Sequence, residues 1–239
     1  MLKARIKFRK YGIMRFIGHL DVMRFFQKAM RRANIPIAFT GGYSPHMIMS
    51  FAQPLGVGVT SDGEYLDIEL TEPISTKDAV RQLNEASVEG IEILNFIEIS
   101  NEKKASGMTI VAAARYEVTY LESKKTADIT RKIPADWTEK IHEFLKQSEI
   151  IVLKKTKKNE REINIRPLIY EMNATEENIQ LFLAAGSEEN LKPDLVMQAF
   201  LEYAGMDIEE TPFHYHRIDV YAKGDNGFVP LENLGRIID

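Results

Sequence analysis

Five histidines supply the side chains best suited to acid–base chemistry: His19, His46, His142, His214 and His216. Imidazole titrates near neutral pH, so two histidines among cations can work on a phosphodiester as acid and base. His19 stands at the start of a basic helical stretch, and His46 follows the turn proline Pro45. The two meet if the strand after the helix folds back beside the helix start. His19 and His46 are therefore the catalytic candidates, for a metal-independent phosphodiesterase or endoribonuclease. The plainer reading has His19 bonding the helix start and His46 a backbone carbonyl. His214 and His216 share one strand face at a spacing a metal could use, but two imidazoles without an assigned carboxylate are insufficient. Packing or solvent exposure is the competing reading, and neither a metal site nor a cofactor is expected. His142 lies within a helical pattern as an ordinary surface or core residue.

Absences narrow the chemistry further. The 239 residues include no cysteine. Disulfides, Cys-ligated zinc, iron–sulfur clusters and a thiol nucleophile are all excluded within this chain. No Gly-x-Gly-x-x-Gly or P-loop pattern opens a helix, so nucleotide binding has little support. No apolar run approaches the roughly 18 residues of a membrane span. The start alternates basic and apolar residues, where a secretory leader would continue with an apolar block. The expectation is a cytoplasmic protein.

Charge is distributed unevenly. Residues 1–61 hold ten Lys/Arg and one Asp, while the whole chain carries net −4. Such polarity lets one end meet a polyanion while the protein stays acidic. The alternative is that the two halves neutralise each other.

The elements that would position these groups follow from hydrophobic periodicity. Residues 3–8 alternate, with Ala4, Ile6 and Phe8 on one face and Lys3, Arg5 and Lys7 on the other: a half-buried strand with a basic outer face. A helix begins near Gly18 and His19, with Leu20, Met23, Phe26, Gln27 and Met30 on one side and Arg24, Lys28, Arg31 and Arg32 on another. Asp21 suits its first turn, and Asn34 and Pro36 end it. Residues 36–39 and 47–51 are extended, and 56–59 alternate as in a strand. Asp62-Gly63 signals a hairpin turn before an alternating strand over 64–70. A helix capped by Ser75 and Thr76 and a strand over 91–99 complete β-α-β-β-α-β. Residues 101–107 form a linker. The second half repeats the order more faintly, with strands at 114–121, 150–155, 163–172, 178–185 and 213–222 and helices at 136–147 and 192–204. A charged turn is expected at 157–161. The fold class is thus α+β: two tandem ferredoxin-like (βαββαβ) domains with antiparallel sheets and helices on one face. Their spans are 1–100 and 108–222, and 223–239 form a C-terminal tail.

On this frame the cations are the main binding candidates. Lys7 and Arg9 project from the first strand, with Lys3 and Arg5. Arg15 leads into the helix, and Arg24, Lys28 and Arg31 line its exposed side. Cations spaced this way can follow a phosphate backbone. Tyr43 or Tyr65 could stack a base, although the aromatic signature of RNA-recognition motifs is absent. The RNA-binding set is Lys7, Arg9, Arg15, Arg24, Lys28, Arg31 and Tyr43. Pairing of the strand cations with Asp67 and Glu69 on a neighbouring strand is the competing reading. Gly41-Gly42-Tyr43-Ser44 could cradle a phosphate, or form only a turn.

Four strings carry a resemblance: GIMRFIGHLD at 12–21, RRANIP at 31–36, GGYSPH at 41–46 and SFAQPLG at 50–56. Together they resemble the bacterial radical-SAM-linked family, a domain of unknown function found beside or fused to cobalamin-type radical S-adenosylmethionine enzymes. The match is dense over 11–70 and loose beyond about residue 100. The resemblance implies a separate radical-SAM enzyme as partner, since a chain without cysteine cannot hold that cluster itself. It implies a non-catalytic accessory role, acting on RNA or a ribosome-related target. A protein–protein adaptor is a further alternative. In architecture the chain is also similar to CRISPR repeat-processing endoribonucleases of the RAMP superfamily. Gly224, Gly227 and Gly235 are too sparse for their glycine-rich loop, which speaks against nuclease activity.

Overall fold

The computed structural model describes residues 2–123, 126–155 and 160–239. In chain order its strands and helices are β1 (Leu2–Lys10), α1 (His19–Arg32), β2 (Met49–Phe51), β3 (Thr60–Leu70), α2 (Thr76–Glu85), β4 (Ile91–Ile99), α3 (Gly107–Ile110), β5 (Val111–Ser123), β6 (Thr126–Thr130), α4 (Trp137–Lys146), β7 (Ile151–Lys155), β8 (Glu160–Asn164), β9 (Ile169–Ala174), β10 (Asn178–Ala184), α5 (Pro193–Tyr203), β11 (Phe213–Gly224) and β12 (Gly227–Pro230). The fold is α+β. Of the charged turn expected at 157–161, residues 157–159 lie outside the described residues. Among the described residues no helix is long and apolar enough to cross a membrane.

The chain divides into two compact units. One joins residues 1–113 with 217–239, and the other spans 114–216. In the first unit β1 pairs antiparallel with both β3 and β4, and β2 pairs antiparallel with β3. The sheet runs β4-β1-β3 and continues to β11. Alternation along β1 sends Ala4, Ile6 and Phe8 into a core with Leu66, Ile68, Leu70 and Phe96. α1 closes that core with Val22, Phe26, Ala29 and Met30. The Phe8 and Phe26 rings meet edge-on with centroids 4.7 Å apart. Leu20, expected on the buried side, is exposed instead, because the stripe that meets the sheet starts at Val22.

The helix ends are where local chemistry puts them. α1 starts at Gly18 as N-cap and stops at Asn34, whose φ of 49° is the left-handed conformation common just past a helix. Ser75 caps α2, its hydroxyl accepting from the Asp78 N–H at 3.1 Å.

Between residues 56 and 107 the structure differs from local expectation at three places. Asp62-Gly63 is no turn but lies within β3, because a Cβ at Gly63 would run into the backbone of Asp219 on β11. Glycine there permits close approach of two strands. Residues 56–59 form a turn, not a strand; Gly58 has φ +87° and donates to the Arg15 carbonyl at 2.8 Å. Residues 101–107 are no bare linker, since a 3-10 turn at Lys103–Ala105 leads into α3.

Residues 223–239, expected as a tail, contain β12, which pairs with β11 from Tyr221↔Pro230 to Gly224↔Gly227. Farther on, Glu98 and Arg236 exchange backbone hydrogen bonds at 2.8 and 2.9 Å.

In the second unit β9 and β10 pair antiparallel, and β7 and β8 form a separate two-stranded ladder. Its core centres on Trp137, which stacks on Tyr120 at 5.8 Å and meets Phe200 edge-on at 5.3 Å. The single strand expected at 163–172 is two strands, parted by a 3-10 turn at Arg166–Leu168. Pro167 has no N–H for a ladder, so the break falls there.

Candidate functional site

The face of β1 opposite the core carries the cations. Register sets Lys3 against Glu69, Arg5 against Asp67 and Lys7 against Tyr65 on β3. Arg5 is 1 % exposed. Its Nε and Nη2 donate to the two Asp67 oxygens at 2.7 and 2.9 Å, and Nη2 also donates to the Ala105 carbonyl at 2.9 Å. Asp67 further accepts the Gly107 N–H at 2.7 Å. Lys7 donates to Asp219 at 2.9 Å and Glu232 at 2.6 Å. Burial by itself would lower the Lys7 pKa, but the hydrogen bonds to Glu232 and Asp219 outweigh it and hold the pKa above its ordinary value. Tyr65 is buried, and its hydroxyl donates to Asp219 at 2.7 Å. Burial first, then the Asp219 charge, push that hydroxyl far above the usual phenol range.

The outer face of β1 is therefore a buried ionic layer, covered by residues from 103–107 and 217–232. The expected open row of strand cations is corrected on this point, as is Tyr65 as a stacking platform. Arg9 is partly exposed, with Asp62 at 2.9 Å and Glu92 at 3.5 Å.

The helix cations are placed differently. Arg24, Lys28 and Arg31 are exposed on α1. Their spacing of four and three residues sets them in one stripe. Arg24 pairs with Asp21 at 3.1 Å in full solvent, a contact worth little. Arg15 lies over the Phe16 ring at 4.8 Å. Tyr43 is fully exposed on the turn at 41–44, where Gly42 has φ +97°.

The structure does not bring the two candidate histidines together. His46 is exposed and bonded locally, its N–H donating to the Thr40 hydroxyl at 3.1 Å and its Nδ1 3.2 Å from the same oxygen. His19 meets the Phe51 ring edge-on at 4.9 Å. Its neighbours in a narrow cleft include Lys10, Phe51, Leu55 and Glu64. Both Glu64 oxygens are bound by Arg217, with Nε at 2.9 Å from one and Nη2 at 2.6 Å from the other. Arg217 also donates to the Gln53 carbonyl at 2.6 Å. Lys10 is buried and donates to the Ile17 carbonyl at 2.9 Å. Burial lowers its pKa; Glu64 opposes this and Arg217 adds to it.

Lys10 and Arg217 are the residues that sequence reasoning passed over. The signal for Lys10 is its parity: it continues the core-facing series Ala4, Ile6 and Phe8, so alternation alone puts a lysine on the buried side of β1. Lys10 is buried on the side of β1 that Phe8 occupies, and the two line the cleft together. Nothing local marks Arg217, which reaches Glu64 across 153 positions of sequence. Among the described residues no group of three or more His, Cys, Asp or Glu is arranged to hold a metal ion.

Over residues 3–193 the chain matches a family model described as an uncharacterized protein conserved in bacteria (DUF2344). The chain belongs to this family. The match takes in α1, β3 and every residue of the His19 cleft, and stops short of Arg217. A search of the curated proteins found no match.

Proposed function

We propose that this member of the family is a non-catalytic accessory protein that binds RNA through the open side of α1. The observation that carries the reading is the contrast between two sets of cations. On β1, Lys3, Arg5, Lys7 and Arg9 are each paired with a carboxylate, and Lys10 is buried. Arg24, Lys28 and Arg31 of α1 stand in solvent at helical spacing, and the first unit also exposes Tyr43 and Phe16, the latter under Arg15. Cations in solvent are free to exchange counter-ions for phosphates, and aromatic faces add stacking.

The partner is read as a radical-SAM enzyme on a separate polypeptide, acting on RNA or a ribosome-related target in the cytoplasm. That part rests on the resemblance over residues 11–70 and on the absence of cysteine. The first unit is read as ferredoxin-like, supported by its β-α-β-β-α-β order and the antiparallel pairing of β1 with β3 and β4. The second unit, with its separate β7–β8 ladder, gives a tandem repeat less support.

A nuclease using His19 and His46 is the weaker reading, because the two rings have different neighbours. The adaptor reading has its own observation: Ile13, Phe16, Leu20 and Val57 are large, apolar and exposed in the first unit. Binding to a mixed single-stranded RNA pool at low salt decides between RNA and protein. The RNA reading expects measurable affinity that Arg24→Glu, Lys28→Glu and Arg31→Glu together reduce at least about tenfold. No affinity, or affinity untouched by the triple reversal, sinks it.

A further inference from the structure

The cleft at the start of α1 has donors to spare. Lys10 is 2 % exposed, and among the described residues its ammonium has one acceptor, the Ile17 carbonyl. An ammonium carries three N–H groups. The His19 ring packs on Phe51 and makes no hydrogen bond among the described residues. The one carboxylate lining the cleft, Glu64, is taken through both oxygens by Arg217. Lys10 therefore meets no carboxylate in the cleft that is not already held by Arg217. A buried ammonium with a single neutral acceptor is costly to keep. Space in the cleft is about 10 Å³, room for one oxygen atom or one water.

We propose that this cleft is an anion site that takes one non-bridging oxygen of a phosphate group, with Lys10 and His19 as the donors. The assignment rests on the RNA-binding reading and deepens it: the phosphate belongs to a strand running along α1, the helix that His19 opens and that carries Arg24, Lys28 and Arg31. A whole phosphate is too large for the cleft, so the ester stays outside and one oxygen enters. Burial holds the Lys10 pKa down, and an entering anion works against that effect.

The test follows the His19 ring signals by NMR as inorganic phosphate is added, and in parallel measures the affinity of a single-stranded RNA oligonucleotide. Both use the full chain as wild type, Lys10→Met, His19→Ala and the control Lys132→Met in the other unit. The expected result is a phosphate-dependent shift of the His19 ring in wild type that disappears in Lys10→Met. RNA affinity should fall about tenfold in Lys10→Met, several-fold in His19→Ala and not at all in Lys132→Met. If Lys10→Met does not fold, His19→Ala carries the RNA comparison and the Lys10 Nζ signal reports phosphate. An RNA affinity unchanged in the folded variants overturns the phosphate site while RNA binding itself stands. A wild type that binds no RNA, yet shows the Lys10-dependent phosphate shift, keeps the site and removes the RNA reading. Neither shift nor RNA binding overturns both.

Discussion

Arg5 and Asp67 face each other across β1 and β3 with almost no water between them, and every polar atom they present has a partner. Each is the other's counter-charge out of water, so cutting one leaves a buried charge uncompensated and is far worse than removing both. Asp67→Ala should destabilise the protein by about 3–5 kcal/mol, read from urea unfolding. The double change Arg5→Met with Asp67→Leu should recover most of the loss; a double variant as weak as the single would contradict the account. Lys10 obeys the opposite sign. Its folded pKa lies below the unfolded value near 10.5, so the charged form carries a penalty at every pH below the folded value. As pH rises from there toward 10.5 the unfolded chain holds the proton longer, and stability climbs. Glu64, Arg217 and His19 are the groups that face the same ammonium. The stability difference between Lys10→Met and wild type should stay flat below the folded pKa and then shift in favour of wild type as pH approaches 10.5. A difference that stays flat throughout, or moves the other way, would count against a strained lysine.

The strand β3 explains why some of this was legible beforehand and some was not. Its alternation over 64–70 showed which residues share a face, and the same logic along β1 found the core residues Ala4, Ile6 and Phe8. Alternation cannot say what lies over the second face. The cover comes from Leu231 and Glu232, more than 220 positions from Arg5 and Lys7, and no local pattern announces it. Gly63 was misread for the same reason: the strand that crowds it, β11, is distant in sequence. Gly63→Ala should cost about 1–3 kcal/mol through forced separation of β3 and β11, visible as a lowered unfolding midpoint. An unchanged midpoint would mean the strands part freely. The start and stop of α1 were readable because caps are local, Gly18 and His19 at one end and Asn34 with Pro36 at the other. Of the candidate site, the sequence offered His19 and the α1 cations; Lys10 has the parity of the core-facing residues of β1, and Arg217 depends on tertiary pairing. The segment after β11 acts as part of the first unit. Deleting residues 225–239 removes β12, Glu232 and the Arg236 bridge to Glu98, and should collapse amide protection in β1 and β4. Protection that survives the deletion would show the cover to be dispensable.

Across the whole chain the early excess of positive charge divides into a buried share and an exposed share. Counting Lys and Arg along residues 1–61 overstates the surface available to a polyanion, because Arg5, Lys7 and Lys10 are out of solvent or committed to partners. What remains open is concentrated on α1, so the protein can be acidic in total, at net −4, and still present one cationic helix. Binding of that kind has a signature in salt. Each phosphate neutralised releases counter-ions, and for single strands the logarithm of the binding constant falls with the logarithm of salt by roughly 0.7 per contact. The decisive measurement is the salt dependence of affinity for a single-stranded RNA, for the wild type and for the Arg24→Glu, Lys28→Glu, Arg31→Glu protein. A wild-type slope steeper than about −2 that flattens by about 2 on triple reversal is the predicted result. Equal slopes for the two proteins would contradict RNA binding through α1.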